Sequence, residues 1–488
     1  MTTDMLAKLM LDRQIRRSAY IGGEWVAPQD AGAAMLPIVD PASERVIGEI
    51  AAAGAADVDR AVAAARAAFP AFSALPVSER AAFLDRIRSL VLERSEAFAQ
   101  AISHEMGAAI TYARNAQVPL AAEHLRVARD LLGSYPFVTM HGTTAIVREA
   151  IGVCGLSTPW NWPLYQITAK VAPALAAGCT IVLKASELSP LSALLFTQAI
   201  HDAGLPAGVF NLVNGTGPEV GEAIAAHADI DMISITGSNR AGTLVAQAAA
   251  PTIKRVTQEL GGKSANVLLP DADLARVVPL GVMTAFRNVG QSCSAPTRML
   301  VPRAQLREVE RIAATTAQAI VVGDPADEAT VLGPLANEAQ FDRVQTMIGV
   351  GIAEGAKLLC GGPGRPAGLQ HGFYARPTIF SEVTGAMRIA QEEIFGPVLC
   401  IMPYDSVDDA VEIANGTLYG LGGHVQGSDI EQARAVALRI RTGQIHINHP
   451  AWDPYAPFGG YKRSGNGREY GEHGLGEFLE TKAILGFG

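Results

Sequence analysis

A thiol, a carboxylate and a side-chain amide sit in three short motifs of this 488-residue chain. Cys293 closes Phe286-Arg287-Asn288-Val289-Gly290-Gln291-Ser292-Cys293, Glu259 opens Glu259-Leu260-Gly261-Gly262-Lys263, and Asn161 lies in Thr158-Pro159-Trp160-Asn161-Trp162-Pro163. A thiolate attacks a carbonyl carbon, an amide N–H can hold the oxyanion that results, and a carboxylate can activate water. Together they form the set that acyl chemistry on an aldehyde needs. Taken singly, Glu259 beside two glycines also reads as a solvated turn residue, and Asn161 as part of a proline-bounded turn. Cys154, Cys179, Cys360 and Cys400 lack a polar motif and read as small buried hydrophobes, with Cys400 in a core strand.

The elements that must position these groups follow from the pattern around them. Residues 57–69, 78–92 and 93–106 carry apolar positions at helical spacing. Residues 143–154 are rich in β-branched types and read as an extended arm. From about Gly155 to Leu260 strands and helices alternate. Residues 180–184 form a continuously apolar run, as in a buried parallel strand, and Ser189-Pro190 then supplies a helix N-cap and first-turn proline. Residues 209–213 and 230–235 are further strands. Such alternation implies a doubly wound α/β sheet. A second α/β unit follows from Gly261, and the tail from Glu477 returns to a strand pattern.

Composition narrows the functional classes. The length exceeds one compact core, so two or three domains are expected. With 49% hydrophobic and 18% charged residues the chain is globular rather than disordered. A net charge of −9 gives no electrostatic reason to bind nucleic acid or an anionic membrane. No apolar run is long enough to span a bilayer, and Lys8, Asp12, Arg13, Arg16 and Arg17 interrupt any signal-like stretch near the start. Five scattered cysteines do not suggest a disulfide framework, and a reducing cytoplasm is the simple reading. His446-Ile447-Asn448-His449 reads as a polar loop before Pro450, and no metal is expected.

In their order and spacing these motifs resemble the NAD(P)-dependent aldehyde dehydrogenase superfamily. The resemblance runs from about Tyr20 to nearly the last residue. It also rests on Lys184-Ala185-Ser186-Glu187, Gly237-Ser238-Asn239-Arg240-Ala241-Gly242, Glu392-Glu393-Ile394-Phe395-Gly396-Pro397 and Pro457-Phe458-Gly459-Gly460-Tyr461-Lys462. It implies an α/β fold: a Rossmann-like NAD-binding domain (1–130 and 151–260), a second α/β catalytic domain (261–476), and a small β oligomerisation arm (131–150 and 477–488). A homodimer or homotetramer would pair through the arm.

The same resemblance makes Cys293 the nucleophile, Glu259 the general base and Asn161 the oxyanion donor, with Lys170 and Glu469 linked to proton transfer. A glutamate at 259 favours hydrolysis to the free acid over transfer to coenzyme A. Lys184 and Glu187 would meet the adenine ribose, where a carboxylate repels a 2′-phosphate and so favours NAD over NADP. Gly237 and Ser238 would meet the pyrophosphate at a helix N-terminus. The family usually has threonine where Asn239 stands. Glu393 and Phe395 would hold the nicotinamide ribose and ring, and Trp160 and Leu260 would also be cofactor-binding. Trp162, Tyr165, Gln166 and Ala169, with Ser292 and Ser294 beside the nucleophile and Trp452-Asp453 on the other side, match the walls of the aldehyde tunnel. Its aromatic residues suggest an apolar or aromatic substrate. No arginine stands among these positions, which argues against a semialdehyde with its own carboxylate, although Arg287 and Arg298 lie close in sequence. A catalytically silent relative, an ester hydrolase and a semialdehyde dehydrogenase are the alternatives.

Overall fold

The computed structural model describes residues 3–29 and 34–488. Five parallel strands form the centre of an eight-stranded sheet, in the order Arg255–Glu259, Met232–Thr236, Val153–Ser157, Thr180–Lys184, Phe210–Leu212. A hairpin of Ala19–Ile21 and Glu24–Val26 adds antiparallel strands at one edge, and Gly465–Asn466 pairs antiparallel with Glu259's strand at the other. The run 180–184 is buried at every residue, which is why an unbroken apolar pattern marks it. The chain starts the parallel core of the sheet at Val153–Ser157, builds outward to Phe210–Leu212, then crosses back to Met232–Thr236 on the other side. The order therefore reverses between Ser157 and Thr236, and open α/β sheets bind ligands at such a point.

A second, seven-stranded sheet runs Lys357–Cys360, Thr378–Ser381, Val398–Tyr404, Arg298–Pro302, Ala265–Leu268, Gly422–Gln426, Gln444–Ile447. All its pairs are parallel except the first. Helices Ala55–Ser73, Val77–Glu93 and Ser95–Met106 lie where the apolar spacing placed them, each within a few residues.

Three local readings need correction. The expected extended arm ends at Ala150, because Gly152 at φ 136 breaks it and Val153 begins the first central strand. Ser189 does not cap the helix Pro190–Asp202 with its hydroxyl. The buried carboxylate of Glu105 instead accepts the N–H groups of Leu191 and Ser192. His446 and Ile447 are the end of a sheet strand rather than a loop.

The arm itself is a three-stranded antiparallel sheet, Leu479–Ile484, Thr144–Ala150, Val138–His141. It presents Val138, Met140, Leu485 and Phe487, all more than two-fifths exposed. No helix among the described residues is long and apolar enough to cross a membrane.

Candidate active site

Cys293 follows an unusual turn. The helix Leu274–Phe286 ends, and Asn288, Val289 and Gly290 then take φ values of 55°, 59° and 72°. Left-handed backbone is an outlier for a β-branched residue such as valine. Buried amides hold the turn in place. Asn288 Nδ2 donates to the carbonyls of Asn161 (2.8 Å) and Gln291 (3.2 Å), and its Oδ1 accepts from Gln117 Nε2 (3.0 Å). Gln291 Oε1 accepts the Ala336 N–H. A Cβ on Gly290 would stand 2.1 Å from the Gly396 carbonyl oxygen, so only glycine fits there.

Asn161 joins the same network. Its Nδ2 donates to the Gln291 carbonyl at 3.0 Å. An amide nitrogen carries two hydrogens, so a second remains for a ligand oxygen. The Cys293 N–H is bound to no acceptor among the described residues. The site thus offers two donors beside the sulfur, the arrangement that stabilises a tetrahedral oxyanion.

The fold holds the Cys293 thiol above its ordinary pKa rather than below it. Burial pushes its pKa up, and Glu393, Glu259 and Glu469 add to the rise, while the Ser294 N–H bonded to the sulfur opposes it. Glu259 stands at the end of its strand, is 3% exposed, and has an Oε2 with no partner. Burial, then Glu469, pushes its carboxyl well above the usual range, and Lys170 and Arg468 oppose that. A carboxylate made more basic in this way is better matched to take a proton from thiol or water near neutrality. Burial also raises Glu393, to about 7, although its Oε1 accepts the Gly262 N–H at 3.0 Å.

Lys170, on the helix Pro163–Ala177, is fully buried. Its Nζ lies 2.6 Å from Glu469 Oε1 and 3.0 Å from Ser234 Oγ. The pair links that helix, the central sheet and the C-terminal segment directly behind Glu259.

The strand ends at the switch point carry the groups expected to meet a dinucleotide. Ser157 leads to Trp160, and Thr236 leads to Gly237 and Ser238. Ser238 caps the helix Asn239–Ala249, its Oγ accepting the Ala241 N–H at 3.2 Å. Asn239 donates its amide to the Arg463 carbonyl, so this departure from the family's threonine serves a tertiary contact. Lys184 Nζ pairs with Glu187 Oε2 at 2.8 Å. Trp160 meets Phe395 edge-on at 5.5 Å between ring centroids, and Phe395 is held at φ 61°. Leu260 packs against Gly242, whose missing Cβ leaves it room.

On the other side of Cys293 a cavity of about 520 Å³ opens. Trp162, Tyr165, Gln166, Ser292, Ser294 and Trp452 all line it. Trp162 Nε1 donates to Ser292 Oγ at 2.9 Å, and the Tyr165 hydroxyl donates to that of Tyr470 at 2.7 Å. Ala169 is not in this wall; it packs behind it with Leu421, Phe458 and Tyr470. Asp453 is exposed and accepts the Tyr455 N–H. The sequence reading missed Tyr470, Phe458 and His424 as cavity residues, left Arg287 unplaced, and read His446 and His449 as loop; all of them also line the cavity. Arg287 therefore belongs to the wall. Arg298 does not, its guanidinium being taken up by the carbonyls of Lys263, Ile413 and Ala414. Among the described residues no group of three or more His, Cys, Asp or Glu is arranged to hold a metal ion.

Comparison with known proteins agrees with this geometry. The pattern of the aldehyde dehydrogenase family matches residues 25–484. A 3-succinoylsemialdehyde-pyridine dehydrogenase of a Pseudomonas species is 53% identical over 472 residues, covering 96% of this chain and 98% of that protein. The structure of aldehyde dehydrogenase C from Pseudomonas syringae, a cysteine-to-alanine mutant with NAD+ and octanal, superposes with a TM-score of 0.97 at 69% identity, covering 98% of each chain. An aldehyde dehydrogenase of Mycobacterium tuberculosis with NAD+ gives 0.93 at 41% identity, over 96% of this chain and 98% of that one.

Proposed function

This chain belongs to the aldehyde dehydrogenase family and is an NAD-dependent enzyme, and we propose that it oxidises its aldehyde through a thioester on Cys293, which Glu259-activated water then hydrolyses to the acid. The observation that carries this reading is the convergence of Cys293, the Asn161 amide and the raised Glu259 carboxyl between a nucleotide-type crevice and a separate cavity.

The residues present fit NAD. A capped helix N-terminus at Ser238 offers backbone N–H groups to a pyrophosphate, and the Glu187 carboxylate suits a free ribose hydroxyl while repelling a 2′-phosphate. Glu393, Phe395, Trp160 and Leu260 would enclose the nicotinamide riboside. When bound, NAD supplies the acceptor for the hydride that leaves the aldehyde carbon.

The protein's own groups do the rest. Sulfur forms a bond to the carbonyl carbon while the thiol proton is released to solvent, which leaves Glu259 ionised for the later step. The carbonyl oxygen becomes an oxyanion held by Asn161 Nδ2 and the Cys293 N–H. Loss of one such donor costs about 2.7–4 kcal/mol of transition-state stabilisation. Once the carbon stands at the thioester level, Glu259 takes a proton from water, the new C–O bond forms, and the C–S bond breaks to release the acid. Lys170 and Glu469 hold the charge balance behind Glu259.

The aromatic cavity wall suits apolar or aromatic aldehydes, in keeping with octanal and the pyridine compound in the names of the two Pseudomonas relatives. The exposed apolar residues on the arm favour a homo-oligomer, which sedimentation would reveal. The five unpaired cysteines suit a reducing compartment such as the cytoplasm. NADH formation from octanal and NAD by the purified protein tests the activity, and its absence across aliphatic and aromatic aldehydes would refute it.

A further inference from the structure

One wall of the cavity carries groups that the chemistry above leaves unused. The strands Gly422–Gln426 and Gln444–Ile447 run parallel with His424 opposite His446. Their rings stack at 4.7 Å and 19°, and His449 lies 5.9 Å from His424. His424 is only 9% exposed, yet its Nδ1 has no hydrogen-bond partner, and neither does His449 Nε2. Arg287 lines the same cavity, and its guanidinium makes no hydrogen bond or ion pair among the described residues. Burial keeps all three imidazoles below their ordinary pKa, and Arg287 adds to this for His424 and His449. Each imidazole is therefore neutral at physiological pH, with one N–H, which His449 already shares with the Val277 backbone while its Nε2 stays unpaired.

Their position relative to the nucleophile follows from the strand. A Cβ on Gly422 would lie 3.6 Å from Ser294 Cβ, next to Cys293. His424 is two residues further on the same face, about 6.6 Å along the strand. These donors thus stand several bonds away from where an aldehyde carbon would meet the sulfur. A plain alkyl tail would leave them unpaired in a low-dielectric wall, whereas an acceptor on the tail would pair them.

We propose that His424, His446, His449 and Arg287 form a subsite for a hydrogen-bond acceptor at the far end of the substrate, so that the preferred aldehydes bear a carboxylate, keto oxygen or ring nitrogen there. This rests on the aldehyde-oxidising reading and names its substrate class. Arg287 is the only permanent cation of the set, so it weighs most for a carboxylate, and the histidines serve neutral acceptors as well.

The experiment compares kcat/KM for three aldehydes: octanal, its ω-carboxy analogue, and a pyridyl keto-aldehyde. Wild type, His424→Phe, His449→Leu and Arg287→Met are each assayed with NAD. His449 is only half-buried, so its variant covers the case in which His424→Phe fails to fold. In wild type at least one acceptor-bearing aldehyde should exceed octanal by about tenfold, the usual scale of one hydrogen bond of about 1.4 kcal/mol. The histidine variants should lower that ratio by about tenfold, through KM rather than kcat. Arg287→Met should lower it for the carboxylate alone. A wild-type preference for octanal, or an equal loss for all three aldehydes in every variant, would overturn the subsite. If wild type oxidised none of them, the aldehyde-oxidising reading would fall first.

Discussion

The Asn161 side chain and the Gln291 carbonyl are joined by a 3.0 Å hydrogen bond, which ties the proposed oxyanion donor to the segment that presents the proposed nucleophile, Cys293. Gln291 stands two residues before Cys293, and Asn288 bonds both Asn161 and Gln291 through one amide. Donor and sulfur therefore keep a fixed relation even though they come from different domains' worth of chain. Such rigidity matters because an oxyanion hole acts only when its donors are already aimed.

Asn288→Ala should loosen that relation without touching substrate. It leaves the Asn161 carbonyl and Gln117 amide without their buried partner, a loss of about 1–3 kcal/mol. Single-turnover measurement should show slower NADH formation by about tenfold or more, with NAD affinity unchanged. Asn161→Ala should be worse, on the order of a hundredfold or more in kcat. Equal rates for Asn288→Ala and wild type would mean the network is only structural.

Glu259 must be ionised to accept a proton, and burial holds its pKa well above the ordinary 4.5. The competent fraction thus grows as pH rises, with a midpoint displaced upward from the carboxylate range. Where hydrolysis limits turnover, kcat should climb through that midpoint and then level. Glu259→Gln should keep a burst of NADH but lose most steady-state turnover and this limb of the profile. A burst lost together with turnover would assign Glu259 to the first step instead.

Removing Lys170 would strand a buried carboxylate. The Glu469 side chain is 9% exposed and pairs with an ammonium that is 0% exposed. Breaking such a pair from one side costs about 3–5 kcal/mol, whereas replacing both partners by apolar groups can be nearly neutral. Lys170→Met should therefore lower the urea midpoint clearly, and Lys170→Met with Glu469→Leu should recover much of it. A double variant as unstable as the single one would contradict the pairing.

Glu187 sits at the end of a buried strand with its carboxylate paired to Lys184. Glu187→Ser removes the charge that opposes a 2′-phosphate and frees the lysine. The ratio of kcat/KM for NADP to that for NAD should rise by about tenfold. An unchanged ratio would place cofactor choice elsewhere.

Strand 180–184 and the three N-terminal helices were legible because burial on every side, or on one face, leaves its period in the sequence. The cap of Pro190–Asp202 was not, because Glu105 reaches it from a distant helix and a local Ser-Pro pattern says nothing of that. Of the eight tunnel positions named from the motif frame, six meet in one cavity, whereas Ala169 packs behind it and Asp453 is exposed. That Arg287, His446 and His449 share one wall with His424 was hidden for a different reason. Parallel strands bring His424 beside His446 only through a crossover, so no sequence period links them. The raised thiol was hidden too, since it arises from burial and then from carboxylates at 393, 259 and 469, which only the fold brings together.

The central claim is that the acyl group passes through Cys293. Rapid acid quenching of the enzyme during turnover of octanal with NAD, followed by mass spectrometry of the Cys293 peptide, tests it directly. The expected result is an octanoyl thioester on that peptide, more abundant in Glu259→Gln and absent from Cys293→Ala, which should still bind NAD. An unmodified peptide under turnover, or sustained NADH formation by Cys293→Ala, would contradict it.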